Sequence, residues 1–291
     1  MSEAPVFVTG ATGNVGREVV RALQSREIPV RLGVRQVRPG LAAPGVEAVR
    51  FDFEDPSTHS VAMRGARACF LVRPTQIARV QSTLVHAVQA AEHAGLTQCV
   101  FLSVEGAERQ AWLPHRKVEK ALEASSLKWT FLRPNHFMQN LAGPYRAAIM
   151  AGRLRLPAGD GAVSFVDCAD LGEVAALAFA DPQTHAGRAY ALTGPEAVNF
   201  HQIASLLTDA LGREIVYEPV SPLSYFRELR RGGAPRTYAA ILTGLHLGVR
   251  RGTPARIDHT LAELLPRPPH TVAEFIANHR EAWRPEATAR A

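Results

Sequence analysis

Three glycines spaced three apart, Gly10, Gly13 and Gly16, stand between the apolar run Val6-Phe7-Val8-Thr9 and a helical pattern of Val15, Val19, Val20 and Leu23. A strand that turns through glycines into a helix is a cradle for a dinucleotide pyrophosphate. Gly10 can turn the chain with positive φ, Gly13 lets the backbone approach the phosphates, and Gly16 lets the helix pack closely on the strand. Thr12, Asn14 and Val15 complete the cradle, with the first N–H groups of the helix facing the anion. The spacing is G-x-x-G-x-x-G rather than G-x-G-x-x-G, and the alternative is an ordinary glycine-rich turn.

The next strand selects among dinucleotides. In Val30-Arg31-Leu32-Gly33-Val34-Arg35, position 34 lies where a carboxylate would take the ribose hydroxyls of NAD. It is Val, and Arg35 follows. A guanidinium offers a planar fork of donors to a 2′-phosphate, so the expected cofactor is NADPH in preference to NADH. The competing reading is a solvated arginine, in a chain with thirty arginines and three lysines. Val49-Arg50-Phe51-Asp52-Phe53 reads as a third strand that brings Asp52 and Phe53 to the adenine, Asp52 accepting from its amino group. A turn carboxylate before Pro56 is the alternative for Asp52.

These residues need a scaffold that gathers strand ends. Ala68–Val72, Gln98–Ser103, Lys128–Arg133 and Arg188–Leu192 are short apolar runs of strand type, separated by helical stretches over about 76–94, 113–124 and 167–180. Strands buried on both faces and joined by helices indicate an α/β fold, a doubly wound parallel sheet of Rossmann type. Ligands then sit at the carboxyl ends of the strands. By position alone that nominates Val72, Arg73, Pro74, Ser103, Pro134, Asn135, His136 and Phe137. The pattern loosens after about residue 140, with short strands around Gly159-Asp160-Gly161 and a helix over 200–211 stopped by Gly212. The expected organisation is a dinucleotide-binding domain over 1–150 and a smaller α+β lobe over 151–291 that is interleaved with it and binds substrate.

The glycine triplet, Leu102–Ala107, His115–Leu122, Trp129–Asn140 and Val166–Leu171 together resemble the NmrA-like atypical short-chain dehydrogenase/reductases. The resemblance covers nearly the whole chain. Arg267–Ile276 is similar to the closing segment of the NAD(P)H:quinone oxidoreductase and iminium reductase branch. It implies a Rossmann domain, a small C-terminal lobe and a substrate cleft between them, with the backbone after Pro134 supporting the nicotinamide carboxamide. One departure from the wider superfamily matters. Classical members use Ser with a Tyr-x-x-x-Lys pair, whose phenol protonates a carbonyl oxygen as hydride arrives. Ser103 stands at the serine's strand end and Lys117 can serve as the lysine near the ribose, but Leu113 occupies the tyrosine's place.

Two chemistries survive that loss. Quinones and iminium ions accept hydride without a strong acid beside them. Alternatively, His115 is the acid, oriented by Glu119 one helical turn on; a surface salt-bridge patch is the bland reading of His115, Lys117 and Glu119. His136 would hydrogen-bond a substrate carbonyl, or else satisfy nearby backbone. A lid drawn from 225–247, mixing Tyr225, Tyr238, Leu242 and Leu245 with arginines, would form a greasy, basic mouth for a flat aromatic substrate bearing an acidic hydroxyl or carboxylate; the alternative is that these apolar residues are the core of the lobe.

Composition bounds the remainder. The chain has 291 residues, 46% of them hydrophobic, and no long uninterrupted apolar stretch. Neither a membrane span nor a signal peptide is expected, and Cys69, Cys99 and Cys168 read as reduced thiols of a cytoplasmic protein. No metal-ligand cluster is evident. The net charge of +6 resides mostly in residues 222–291, but its arginines are scattered without a recognition motif, so nucleic acid is not an expected partner. A homodimer is open. The resulting expectation is an NADPH-dependent reductase of a quinone or unsaturated aromatic metabolite. The rivals are a non-catalytic redox sensor of NmrA type and an iminium or ketone reductase, with an isomerase or lyase ranked last.

Overall fold

The computed structural model describes residues 3–284. Its strands are β1 (Val6–Thr9), β2 (Val30–Val34), β3 (Val46–Arg50), β4 (Ala68–Val72), β5 (Gln98–Leu102), β6 (Lys128–Pro134), β7 (Arg153–Leu156), β8 (Ala162–Val163), β9 (Arg188–Leu192), β10 (Val198–Asn199) and β11 (Val216–Pro219). The chain divides into two units, each assembled from separated segments. The first takes the chain through Pro134, then Cys168–Leu192 and Glu263–Pro266; the second takes Asn135–Asp167, Thr193–Ala262 and the residues from Arg267 on.

In the first unit, seven parallel strands form one sheet in the order β3-β2-β1-β4-β5-β6-β9. Every residue of β1 and β5 is buried, as the unbroken apolar runs require of strands covered on both faces. Strand order reverses direction between β1 and β4, which is where a doubly wound sheet opens a crevice for ligand. On one face the Asn14–Gln24 and Cys168–Ala180 helices pack so closely that a Cβ on Gly172 would lie 2.5 Å from the Glu18 carbonyl carbon. Arg26 and Glu173 pair across that contact.

The second unit pairs β7 with β11 in parallel and β8 with β10 antiparallel. Its core gathers Phe165, Phe200, Phe275 and Trp283, and the Trp283 indole N–H donates to the Leu141 carbonyl at 3.1 Å. The Phe200–Leu211 helix starts on a reciprocal Asn199–Gln202 capping box and ends at Gly212, whose φ of +64° puts it in the left-handed region.

Three local expectations are corrected. Strand β3 covers 46–50 rather than 49–53, because Phe51 and Phe53 leave the sheet and turn their rings into the core edge to face, centroids 4.9 Å apart. The helix expected from residue 76 begins with a wide turn at Gln81 and continues as His86–His93. Before it the chain turns, with the Ile77 N–H donating to the Pro74 carbonyl at 3.0 Å and the Arg73 guanidinium donating to the carbonyls of Pro74, Thr75 and Ile77. Finally, the first crossing between units comes at Pro134, where β6 ends, not near residue 150.

Candidate functional site

At the carboxyl end of β1 the chain turns at Gly10 with φ +62°, and the Gly13 N–H donates to the Gly10 carbonyl at 2.9 Å. A Cβ at Gly10 would strike the Val72 side chain at 2.4 Å, and one at Gly16 would fall 2.2 Å from the Gly10 carbonyl oxygen. Only glycine fits either position. Gly13 is the N-cap of the following helix, and no side chain caps that end; Asn14 and Val15 open it, and its first turn carries no acidic residue. Its leading N–H groups are therefore available to an anion, which is the donor arrangement a pyrophosphate needs. Thr12 lies within the turn, its carbonyl accepting from Arg17. Arg35 is exposed just beyond β2, with no described residue paired to it. The residues present thus fit a dinucleotide.

Asp52 sits in a tight turn, where its carboxylate accepts from the Glu54 N–H at 3.0 Å and its carbonyl from His59 at 2.9 Å. The turn-carboxylate alternative describes this geometry. The Phe53 ring is in the core, so a ligand could meet only its backbone.

Beyond β4 and β5, two of the side chains singled out for chemistry, Ser103 and His115, are already engaged. The Ser103 hydroxyl donates to Glu119 Oε1 at 2.7 Å, and Arg133 grips both oxygens of the same carboxylate at 2.9 and 3.0 Å. Arg116 adds a third contact at 3.1 Å. Burial pushes the Glu119 carboxyl up, but Arg133, Ser103 and Arg116 outweigh it and hold the pKa below the usual carboxylate range. Glu119 therefore does not orient His115, and that expectation is corrected. His115 Nε2 instead accepts from Arg73 Nε at 3.2 Å. Burial, reinforced by the Arg73 charge, lowers His115 to about 4, so at neutral pH it is an uncharged acceptor and not a proton donor. Lys117 is exposed on the same helix, Pro114–Glu123, and makes no hydrogen bond or ion pair with a described residue.

Asn135, His136 and Phe137 belong to the second unit. There a cavity of about 200 Å³ is lined by His136, Asn140, Tyr145, Tyr225, Tyr238 and His246, closed by Leu229, Leu242 and Leu245. Tyr145 donates its hydroxyl to His246 Nε2 at 2.9 Å, because His246 Nδ1 is held as a donor to the Leu242 carbonyl at 2.7 Å. Burial lowers the His246 pKa and raises that of Tyr145. Burial also pushes Tyr225 up to about 12. The His136 ring is lowered to about 4 by burial and by the nearby His246. Among the described residues no Asp, Glu, Lys or Arg lines this cavity, so they do not form the basic mouth expected from the arginines of 225–247. Tyr145 and His246 were missed in the sequence. His246 was legible one turn after Leu242 on the Arg236–Arg250 helix, whereas nothing near Tyr145 signalled its role.

The comparisons with known proteins extend over the same span. The NmrA-like family model matches residues 2–276. An NAD(P)H azoreductase of Xenophilus azovorans is 30% identical, covering 96% of this chain and 99% of its own length. A (4-alkanoyl-5-oxo-2,5-dihydrofuran-3-yl)methyl phosphate reductase of Streptomyces griseus is 33% identical, covering 97% of this chain and its own entire length. Among solved structures, the NADPH complex of an NADPH-dependent quinone oxidoreductase from Escherichia coli superposes with a TM-score of 0.82 at 25% identity, covering 94% of this chain and 99% of that one. The glycine turn, the seven-stranded parallel sheet and a family match across nearly all of the sequence agree, and the chain belongs to the NmrA-like family.

Proposed function

We propose that the protein is a cytoplasmic NADPH-dependent reductase that delivers hydride to a quinone or a related electron-poor aromatic. One observation carries the choice of acceptor: Ser103 and His115, the groups nominated near the strand ends for proton delivery, are committed to Glu119 and Arg73, while burial makes the Tyr145 and Tyr225 phenols of the cavity weaker acids. A ketone reduced without an acid would leave an alkoxide unprotected, whereas a quinone spreads the incoming charge over its ring. NADPH bound at the glycine turn would supply the hydride, and water the proton that completes a hydroquinone. In this reading the Gly10–Gly16 turn and the first helical N–H groups hold the pyrophosphate, and Arg35 takes the 2′-phosphate. Val72, Arg73 and Pro74 border the crevice, Pro134, Asn135 and Phe137 support the nicotinamide, and Lys117 reaches the ribose. His136 and the tyrosine-lined cavity receive the ring of the acceptor. The azoreductase and quinone oxidoreductase among the relatives support this assignment. The buried thiols Cys69 and Cys99 suit a reducing compartment.

The test is the loss of NADPH absorbance with a panel of quinones, iminium compounds and simple ketones. Turnover of quinones alone is the expected result. Tight NADPH binding without turnover of any acceptor would replace the reductase with a dinucleotide sensor.

A further inference from the structure

The tautomer of His136 follows from its neighbours. The Asn135 amide nitrogen lies 2.9 Å from the Pro254 carbonyl, which can only accept, so that end of the amide is the NH₂. The same nitrogen donates to Ser164 Oγ at 2.9 Å. Asn135 Oδ1 therefore faces the histidine, where it accepts from the His136 backbone N–H at 2.8 Å, an independent fix of the same orientation. His136 Nδ1 lies 2.8 Å from that oxygen and must donate to it. Nε2 is left as a lone pair at the wall of the cavity, with no hydrogen bond from any described residue. The Tyr145 oxygen on the same wall is alike in kind. The Tyr145 proton is spent on His246, so its oxygen offers lone pairs as well.

We propose that this pocket selects planar one- or two-ring aromatics that carry a neutral O–H or N–H donor, and that His136 Nε2 is the acceptor that reads it. This rests on the reductase reading of the pocket and narrows its substrate class to quinones and related rings that also carry a hydroxyl or amino substituent. It also reverses the expectation that His136 donates to a substrate carbonyl: the ring nitrogen that could donate is occupied by Asn135. A carboxylate is disfavoured because no described cationic side chain lines the wall and His136 Nε2 is electron-rich. An otherwise similar ring without a donor would leave Nε2 desolvated and unpaired.

Equilibrium binding of 2-naphthol and 2-methoxynaphthalene to the full chain, followed by ligand fluorescence, tests this without turnover. The two differ only by the methyl group that removes the donor. The unsubstituted protein is expected to favour the naphthol about tenfold, the effect of one buried hydrogen bond. His136→Phe is expected to bring the ratio near one while 2-methoxynaphthalene binding is kept. Equal affinities in the unsubstituted protein, failure of both ligands to bind, or a preference that survives His136→Phe would each overturn the proposal. The first two are read without any variant. Quinone turnover without naphthol preference would leave the reductase standing and remove only the donor rule; naphthol preference without turnover of any acceptor would do the reverse.

Discussion

The two regions that could handle ligand are built from opposite materials. At the strand ends of the first unit the available groups are backbone, the uncapped N–H groups after Gly13, while the polar side chains Ser103, Glu119, Arg133, Arg73 and His115 are tied to one another. In the second unit the available groups are side chains, neutral and aromatic, with His136 and His246 set in fixed tautomers and the Tyr145 hydroxyl aimed at His246. The difference teaches that polar residues at a promising strand end can be scaffold. A dinucleotide is held by features every member of a fold can share, and the side chains left free to discriminate lie where the sequence pattern is loosest.

The sharpest break in that contrast concerns Glu119. Glu119→Ala leaves Ser103 without its acceptor and takes from Arg133 and Arg116 their buried partner, leaving them Glu108 and Glu123, and about 3 kcal/mol of stability, the low end for a broken buried pair, should be lost in urea unfolding. A loss below about 1 kcal/mol would mean that the network is not scaffold.

The backbone cradle is tested by Gly16→Ala, whose Cβ would fall 2.2 Å from the Gly10 oxygen. NADPH affinity should drop about a hundredfold, roughly 2.7 kcal/mol, in a fluorescence titration. Unchanged affinity would separate the turn from the cofactor.

Acid should weaken the molecule through its histidines. His115 and His136 titrate near 4 in the folded chain and near 6.5 when unfolded, so the unfolded state binds more protons between those values. Stability is complete above pH 6.5 and falls as the pH drops toward 4, by at most about 1.4 kcal/mol per pH unit for each histidine. Urea midpoints measured at pH 7.5 and 5 should show it, and His136→Gln should remove part of the slope. A flat profile would place these rings in water.

Arg35→Asp should weaken NADPH about tenfold more than NADH, a smaller change of about 1.4 kcal/mol. An unchanged preference between the two cofactors would show that Arg35 is only a solvated arginine. Smallest of all, Tyr145→Phe should cost about 1 kcal/mol, the net value of its bond to His246. No loss of thermal stability in that variant would mean that the Tyr145–His246 pair does not order the cavity wall.

Much of the first unit was legible. The apolar runs at 6–9, 68–72 and 98–102 are strands buried across a parallel sheet, and Gly10 and Gly16 stand where only glycine fits. Short-range signals suffice for such features. The Asn199–Gln202 box and Gly212 likewise bound their helix through neighbours a few residues away.

What only the tertiary structure decided is which polar side chains are free. Ser103 meets Glu119 across 16 positions, Arg73 meets His115 across 42, and Tyr145 meets His246 across 101. Periodicity carries no trace of such pairings, because they depend on where folding returns the chain. The sequence by itself determined the sheet, the glycine turn and the family, since local backbone sterics and the alternation of apolar runs settle those. The protonation states, the tautomers and the neutral wall of the cavity follow from burial and distant partners, which exist only once the chain has folded.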